Sequence, residues 1–124
     1  MKTIIAGTRS FSDYSLLEEV MDEVHSHFNV SEVVSGTAKG ADRLGELWAS
    51  ERSVRLVKFP ADWKKLGKAA GPIRNLEMAV YSELLVSFWD GASSGTKNMI
   101  THMESLSKPR LVVNYRTGHM SYTI

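Results

Sequence analysis

Three segments of this 124-residue sequence combine glycine with hydroxyl or basic side chains: "GTRSF" from Gly7, "SGTAKGAD" from Ser35 and "DGASSGT" from Asp90. Each follows a short run of apolar residues and precedes a helical pattern. Glycine lets a ligand approach the backbone, and the first turn of a helix leaves N–H groups unpaired. Such a junction favours phosphate or carboxylate. The residue types therefore predict an anion site, with an ordinary tight turn as the alternative for any one segment.

Four basic residues are expected near these segments, and they are Arg9, Lys39, Lys68 and Arg74. Arginine donates two parallel hydrogen bonds to a phosphate, whereas lysine acts as a point charge. Three glycine-rich junctions with several cations indicate a ligand that carries phosphate.

Other side chains in these regions have two interpretations each. Asp42 either caps its helix or accepts a hydrogen bond from a ribose hydroxyl. Trp63 lies among lysines and either packs in the core or stacks on a base, whereas Trp48 has the helical spacing of a core residue. Ser93 stands in "GASSG", which matches the G-x-S-x-G pattern of a nucleophile elbow. The acid and then the histidine of a triad should follow the serine, and only Glu104 and His119 do so in that order. Ser93 is therefore better interpreted as a hydrogen-bond donor to a phosphate.

Composition excludes several classes of function. The net charge of +1 is too balanced to favour nucleic acid or an anionic membrane as a partner. The chain has no cysteine, which excludes disulfides and thiolate sites. His25 and His27 are two residues apart and make a poor metal pair, so we expect no metal site. We also expect no cofactor. The first residues lack a signal-peptide core and no run is long enough to span a membrane, so we expect a cytoplasmic protein.

Strand and helix patterns alternate along the whole chain. Five short apolar runs predict strands, and they are Thr3–Gly7, Glu32–Gly36, Arg55–Phe59, Glu83–Trp89 and Arg110–Tyr115. Helical periodicity separates them, and the tail from Arg116 is polar. Alternation of this kind indicates βαβ units. We predict one Rossmann-like, doubly wound α/β domain over residues 1–124, with a five-stranded, mainly parallel sheet and helices on both faces.

The glycine-rich segments follow strands, so they meet at the carboxyl edge of such a sheet, where α/β proteins bind ligands. The predicted ligand-binding residues are Gly7, Thr8, Arg9, Ser35, Gly36, Thr37, Lys39, Gly40, Asp42, Trp63, Arg74, Asn75, Gly91, Ser93, Ser94, Gly95 and Thr96.

Five ordered motifs, "GTRSFSDY", "SGTAKGAD", "FPADW", "GKAAGPIRNLEM" and "FWDGASSGT", resemble the YspA-type branch of the SLOG superfamily. The resemblance runs from about Gly7 to Pro109. It implies a Rossmann-like sheet, a pocket for nucleotides or nucleotide-derived ligands such as relatives of ADP-ribose, and a homo-oligomer. Proteins of this branch occur in bacteria and phages. The superfamily also contains the Lonely Guy hydrolases and the DNA-processing protein DprA.

Lonely Guy proteins hydrolyse the N-glycosidic bond of a nucleoside monophosphate, and their hallmark is an arginine followed by P-G-G-x-G-T-x-x-E. By resemblance, Arg74 takes the arginine position, while Gly91, Gly95 and Thr96 take parts of the loop. Asp90 replaces the proline, Ala92 or Ser93 replaces the second glycine, and Met99 replaces the glutamate. Methionine cannot transfer a proton or stabilise an oxocarbenium-like transition state.

Two functions therefore remain open at this point. The first is a sensor or sequestering protein that binds a nucleotide-like ligand, related to ADP-ribose, NAD or a cyclic nucleotide. The second is an N-glycosidic hydrolase acting on a nucleoside monophosphate or an NAD-derived substrate, with Arg74 and Asp42 as its candidate catalytic residues. Asp62 and Asp90 are further substitutes for the missing glutamate. DNA binding of the DprA kind is disfavoured by the low net charge.

Overall fold

The computed structural model describes all 124 residues and contains one six-stranded sheet. The strands are β1 (Lys2–Gly7), β2 (Glu32–Ser35), β3 (Arg55–Lys58), β4 (Leu84–Trp89), β5 (Arg110–Asn114) and β6 (His119–Thr123). The helices are α1 (Tyr14–Phe28), α2 (Ala41–Glu51), α3 (Trp63–Leu66), α4 (Ala70–Tyr81) and α5 (Ser94–Ser105), and a short 3-10 helix, Gly67–Ala69, joins α3 to α4. No helix has the length and apolar character that crossing a membrane requires.

The predicted α/β architecture is confirmed, but the count of five strands is wrong. The order is β3-β2-β1-β4-β5-β6, in which β1 to β5 pair in parallel and β6 pairs antiparallel with β5. The polar tail after Arg116 forms this sixth strand, and a hairpin turn that ends at Gly118 connects it to β5. All five residues of β6 are exposed, so no apolar pattern marks the strand in the sequence.

Side chains of each strand alternate between two apolar cores, one on each face of the sheet. Ile5, Val33 and Val86 point into the core beneath α1 and α2, which also holds the fully buried Trp48. Ile4, Val34 and Leu85 belong to a second core with Met78 of α4 and Met99 of α5. Helices therefore cover both faces, as predicted.

The strand order reverses between β1 and β4. β1 continues through α1 to β2 on one side, while the chain reaches β4 on the other side only after α4. The crevice beside the carboxyl ends of β1 and β4 is the switch point at which open α/β sheets bind ligands.

The segment between β3 and α4 consists largely of α3 and the short 3-10 helix. Asp62 accepts a hydrogen bond from the N–H of Lys65 at 3.1 Å and caps α3. Pro72 lies in the first turn of α4, where proline removes no helical hydrogen bond.

Candidate functional site

A cavity of ≈ 680 Å³ opens at this switch point. Its volume lies within the range of small-molecule sites. Few of its lining residues are hydrophobic, and the lining is formed by Ala6–Ser10, Ala38, Asp42, Trp63, Lys68, Gly71, Pro72, Arg74, Asn75, Met78, Ser93–Thr96, Asn98 and Met99. The charged side chains among these are three cations and one carboxylate, so the cavity favours an anion.

The first turn of α5 presents unpaired backbone donors to the cavity. No side chain caps this helix, and its first turn has no acidic residue. The N–H groups of Ser94, Gly95 and Thr96 have no hydrogen-bond partner within the protein. A Cβ added at Gly95 would meet no atom within 4 Å, so packing does not require glycine there. Asp90 holds the preceding turn by accepting from the N–H groups of Ala92 at 2.9 Å and Ser93 at 2.7 Å.

These backbone donors also explain the charge state of Asp90. The N–H groups of Ala92 and Ser93 lower the pKa of Asp90 below its ordinary value. Its carboxylate is thus committed to the turn that positions α5, and it does not line the cavity.

Arg74 holds the loop after β2 and still faces the cavity. Its Nη1 donates to the carbonyl oxygen of Gly36 and, at 3.5 Å, to that of Phe59. Its Nε donates to Asn75 Oδ1 at 2.9 Å. Its Nη2 has no partner in the protein and remains available to a ligand. Burial lowers the pKa of Arg74, while the carboxylate of Asp42 opposes that shift, and the guanidinium stays charged.

Asn75 connects Arg74 to α5. Its Nδ2 donates to Asn98 Oδ1 at 3.0 Å and to the carbonyl oxygen of Gly95 at 3.3 Å. This chain of hydrogen bonds fixes the arginine relative to the first turn of α5, so both anion-binding elements are held before a ligand arrives.

The loops after β1, β2 and β4 meet at Thr8. Its N–H donates to the carbonyl oxygen of Phe88 at 3.0 Å, and its Oγ1 accepts from the N–H of Asp90 at 3.1 Å. Gly40 at the start of α2 lies against the same segment, because a Cβ there would come within 2.4 Å of the carbonyl oxygens of Thr8 and Arg9. A Cβ at Gly7 would approach the Phe88 carbonyl oxygen to 2.2 Å. These glycines bring the loops together.

Asp42 is the one acidic side chain that lines the cavity. It is 5% exposed, and its Oδ2 accepts from the N–H of Ala38 at 3.0 Å. Oδ1 has no partner within the protein. Burial raises the pKa of Asp42 to about 6, against the opposing effects of the Ala38 N–H and the Arg74 guanidinium, and with a smaller contribution from Glu46.

This shift predicts how Asp42 affects stability. A carboxyl group whose pKa is raised by folding stabilises the protein below its unfolded pKa of 3.8, and that contribution is lost as the pH rises through about 6. The substitution Asp42→Asn keeps an acceptor for Ala38 and carries no charge. We expect the variant to gain stability relative to the parent as the pH rises from 4 to 7, reaching about 2–3 kcal/mol. Urea unfolding at several pH values measures this difference, and a difference independent of pH would contradict it.

Two exposed cations and an aromatic ring border the cavity. Arg9 and Lys68 are exposed and form no ion pair within the protein. Trp63 is 52% exposed, and its ring lies over Gly71, where an added Cβ would be 3.3 Å from Cη2. The ring is held on one side by α4 and is open elsewhere, which suits stacking on a base.

Most of the residues predicted for the site line the cavity. Those that do not are Ser35, Gly36, Thr37, Lys39, Gly40 and Gly91. Ser35 instead donates to Glu46 at 2.7 Å. Gly36 is predicted to let phosphate approach the backbone. Instead, its missing Cβ leaves room for Arg74, because a Cβ added at Gly36 would lie 2.8 Å from Arg74 Nη1. "SGTAKGAD" therefore supports the arginine and contributes Ala38 and Asp42.

The cavity also contains residues that no sequence motif marks as part of the site, chiefly Gly71, Met78, Asn98 and Met99. Asn98 is the most informative of these. It lies four residues after Ser94 and thus on the same side of α5, and this spacing is the signal that was available.

The alternative catalytic arrangements receive no geometric support. A Ser93 triad would need a histidine at the cavity, but no histidine lines it and His119 lies on the exposed strand β6. Ser93 Oγ instead lies 3.3 Å from Thr96 Oγ1. Met99, at the glutamate position of the Lonely Guy hallmark, is a buried part of the cavity wall. Asp62 caps α3 outside the cavity, which leaves Asp42 as the available carboxyl group. No three His, Cys, Asp or Glu side chains cluster as a metal site would require.

The fold and this cavity define the class as a Rossmann-like α/β protein with an anion-favouring site at its switch point. Comparison with known proteins gives the family. The model of the YspA, cpYpsA-related SLOG family matches residues 1–66. The Gene 61 protein of Mycobacterium phage D29 is 30% identical over 121 residues, which cover 92% of this chain and 95% of that protein. No solved structure matches. The chain belongs to the YspA, cpYpsA-related SLOG family, and the predicted membership is confirmed.

Proposed function

We propose that this protein binds a nucleotide or nucleotide-derived ligand in the switch-point cavity, as a sensor or sequestering protein. The observation that carries the proposal is the convergence of two anion-binding elements on one cavity. Unpaired N–H groups of the first turn of α5 and the free Nη2 of Arg74 both face it. Helix N-termini and arginine forks are the usual phosphate ligands of proteins.

The rest of the cavity supports a ligand larger than phosphate. The exposed ring of Trp63 offers a stacking surface for a base, and the free Oδ1 of Asp42 is an acceptor for a hydroxyl group. Arg9 and Lys68 add positive charge for a second phosphate. ADP-ribose and its relatives combine these groups, and they are the ligands to test first.

A second candidate, N-glycosidic hydrolysis, is favoured by one observation. Asp42 lies in the cavity and has a pKa of about 6, so both of its protonation states are populated near neutral pH. Such a carboxyl group is suited to proton transfer. It would have to replace the glutamate that is absent at Met99.

Incubation with nucleoside monophosphates, NAD, ADP-ribose and cyclic ADP-ribose isomers separates the two candidates. Mass spectrometry of the solution and of the denatured protein follows the fate of each compound. The proposal expects an intact ligand released on denaturation, whereas a free base or ribose phosphate in solution would establish the hydrolase. Absence of both binding and turnover would contradict the proposed site.

The substitution Gly95→Asp tests the site without weakening the fold. A carboxylate in the first turn of α5 interacts favourably with the helix dipole, and aspartate replaces glycine within a helix, so we expect thermal stability to be unchanged or higher. The same carboxylate occupies and repels the phosphate position, so the affinity for ADP-ribose is expected to fall about 100-fold or more. Calorimetric titration measures the affinity.

Thr101→Asp is the matched control, because it adds the same charge on an exposed position farther along α5. Its affinity should stay near that of the parent. Equal losses in both variants would show that net charge alone governs binding.

A further inference from the structure

The side-chain amide of Asn98 has a hydrogen-bond donor that no other part of the protein uses. Asn98 lines the cavity and is partly buried. Its Oδ1 accepts from Asn75 Nδ2 at 3.0 Å. Its Nδ2 makes no hydrogen bond within the protein and is not enclosed by it. This nitrogen is therefore accessible to a ligand.

The orientation of the amides follows from the groups that surround Asn75. The two ends of an amide side chain differ, because the oxygen only accepts and the nitrogen only donates. Arg74 Nε can only donate, so it requires Asn75 Oδ1 as its acceptor, at 2.9 Å. The carbonyl oxygen of Gly95 can only accept, so it requires Asn75 Nδ2 as its donor, at 3.3 Å. Asn75 is thereby held in one orientation, and Asn98 has to present its Oδ1 to it.

The same hydrogen bond fixes Nδ2 of Asn98 as the free end of its amide. Exchanging the two ends of the Asn98 amide would place its N–H group against the N–H group of Asn75. Asn75 is only 8% exposed, so a donor left unpaired there costs free energy. Asn98 is therefore a donor of fixed direction, whereas a hydroxyl group could rotate to donate or accept.

We propose that Asn98 is a specificity-determining residue that donates from Nδ2 to the same phosphate group as Arg74 Nη2 and the first turn of α5. The inference rests on the proposed function and adds a side chain to it. Asn98 lies four residues after Ser94 and thus on the same side of α5. Asn75 bonds to both Arg74 and Asn98, which holds the two donors in a fixed relation. Such donors favour a deprotonated phosphate over a group that must itself donate, such as an amine.

Asn98→Asp tests the donor while it keeps the hydrogen bond to Asn75. One carboxylate oxygen still accepts from Asn75 Nδ2, and the other replaces the free donor by a charged acceptor. We expect a thermal stability near that of the parent and a dissociation constant for AMP about 100-fold higher or more, measured by calorimetric titration. Asn98→Ala removes the donor without adding charge, and we expect a dissociation constant about tenfold higher.

Thr101→Asp is again the matched control, because it carries the same charge three residues farther along α5. It should bind AMP like the parent. If Asn98 only supported Asn75, Asn98→Asp would also bind like the parent, and this result would overturn the proposal. An equal loss of affinity in Thr101→Asp would overturn it as well, because charge alone would then explain the effect.

Titration of the full chain with inorganic phosphate separates this inference from the proposed function. Nuclear magnetic resonance follows the backbone amide of Gly95 and the side-chain amide of Asn98. We expect both signals to shift with the same dissociation constant. A shift of Gly95 alone would overturn the role of Asn98 and leave the site at α5 standing. Absence of a shift at either group would contradict the proposed function and this inference together.

Discussion

Replacing Arg74 by alanine is expected to lower the affinity for ADP-ribose and AMP about 100-fold or more, and to lower stability by about 1–3 kcal/mol through the lost hydrogen bonds to Gly36 and Asn75. The free Nη2 and the charge of this guanidinium face the cavity. A hydrogen bond to a charged group contributes about 1.5–3 kcal/mol, and the substitution removes the free donors of Nη2 together with the positive charge. Calorimetric titration of both nucleotides measures the effect.

Arg43→Ala separates ligand contact from loop support. Arg43 donates to the carbonyl oxygen of Thr37 at 3.3 Å, as Arg74 does to that of the neighbouring Gly36, but Arg43 is exposed and outside the cavity. We expect its removal to leave affinity nearly unchanged. Arg74→Lys should retain part of the affinity, because lysine keeps the charge and loses the fork. If Arg43→Ala weakens binding as much as Arg74→Ala, the arginine acts by holding the loop and does not contact the ligand.

Replacing Gly40 by alanine is expected to lower the free energy of unfolding by about 3 kcal/mol or more. Gly40 has φ +78°, which side chains rarely adopt, and an added Cβ would lie 2.4 Å from two carbonyl oxygens of the loop after β1. Backbone strain contributes about 1–2 kcal/mol and the displaced contact adds a further 1–3 kcal/mol. Urea unfolding monitored by circular dichroism measures the loss.

Gly118→Ala isolates the contribution of the backbone angle. Gly118 also has φ +78°, but no atom lies within 4 Å of its added Cβ. We expect this variant to lose only about 1 kcal/mol. The difference between the two variants then measures the close approach of α2 to the β1 loop together with the strain of the ψ of −125° at Gly40. Equal losses would mean that the contact at Gly40 relaxes without cost.

The family match and the cavity overlap only in part. The family model covers residues 1–66, which include Thr8, Arg9 and Asp42, whereas Arg74 and the first turn of α5 lie beyond it. The phage D29 protein spans both halves. Met99 in the cavity wall is the point at which the Lonely Guy reaction lacks its carboxylate, and Asp42 approaches the cavity from a different helix.

The amino-acid sequence by itself determined the α/β alternation and the edge of the sheet at which the cavity opens. Buried strands need apolar runs and helices need a periodic apolar face, so these elements are visible locally. Asp13 directly precedes α1 and is a residue type that caps helices, and it accepts from the N–H of Leu16 at 3.0 Å. The helical spacing of Trp48 predicts a core residue, and Trp48 is fully buried. Strand-to-helix junctions share an edge in any parallel sheet, which placed the glycine-rich segments together.

Only the tertiary structure decided which side chains of those segments line the cavity and how far the pKa of Asp42 is shifted. β6 has no buried side chain and is defined by its pairing with β5 alone. Gly36 leaves room for Arg74, which lies 38 residues farther along the chain. No local sequence pattern predicts such a contact. The raised pKa of Asp42 comes from burial by the surrounding loops and helices. These properties depend on distances between segments that are far apart in the chain, because packing and desolvation act through space.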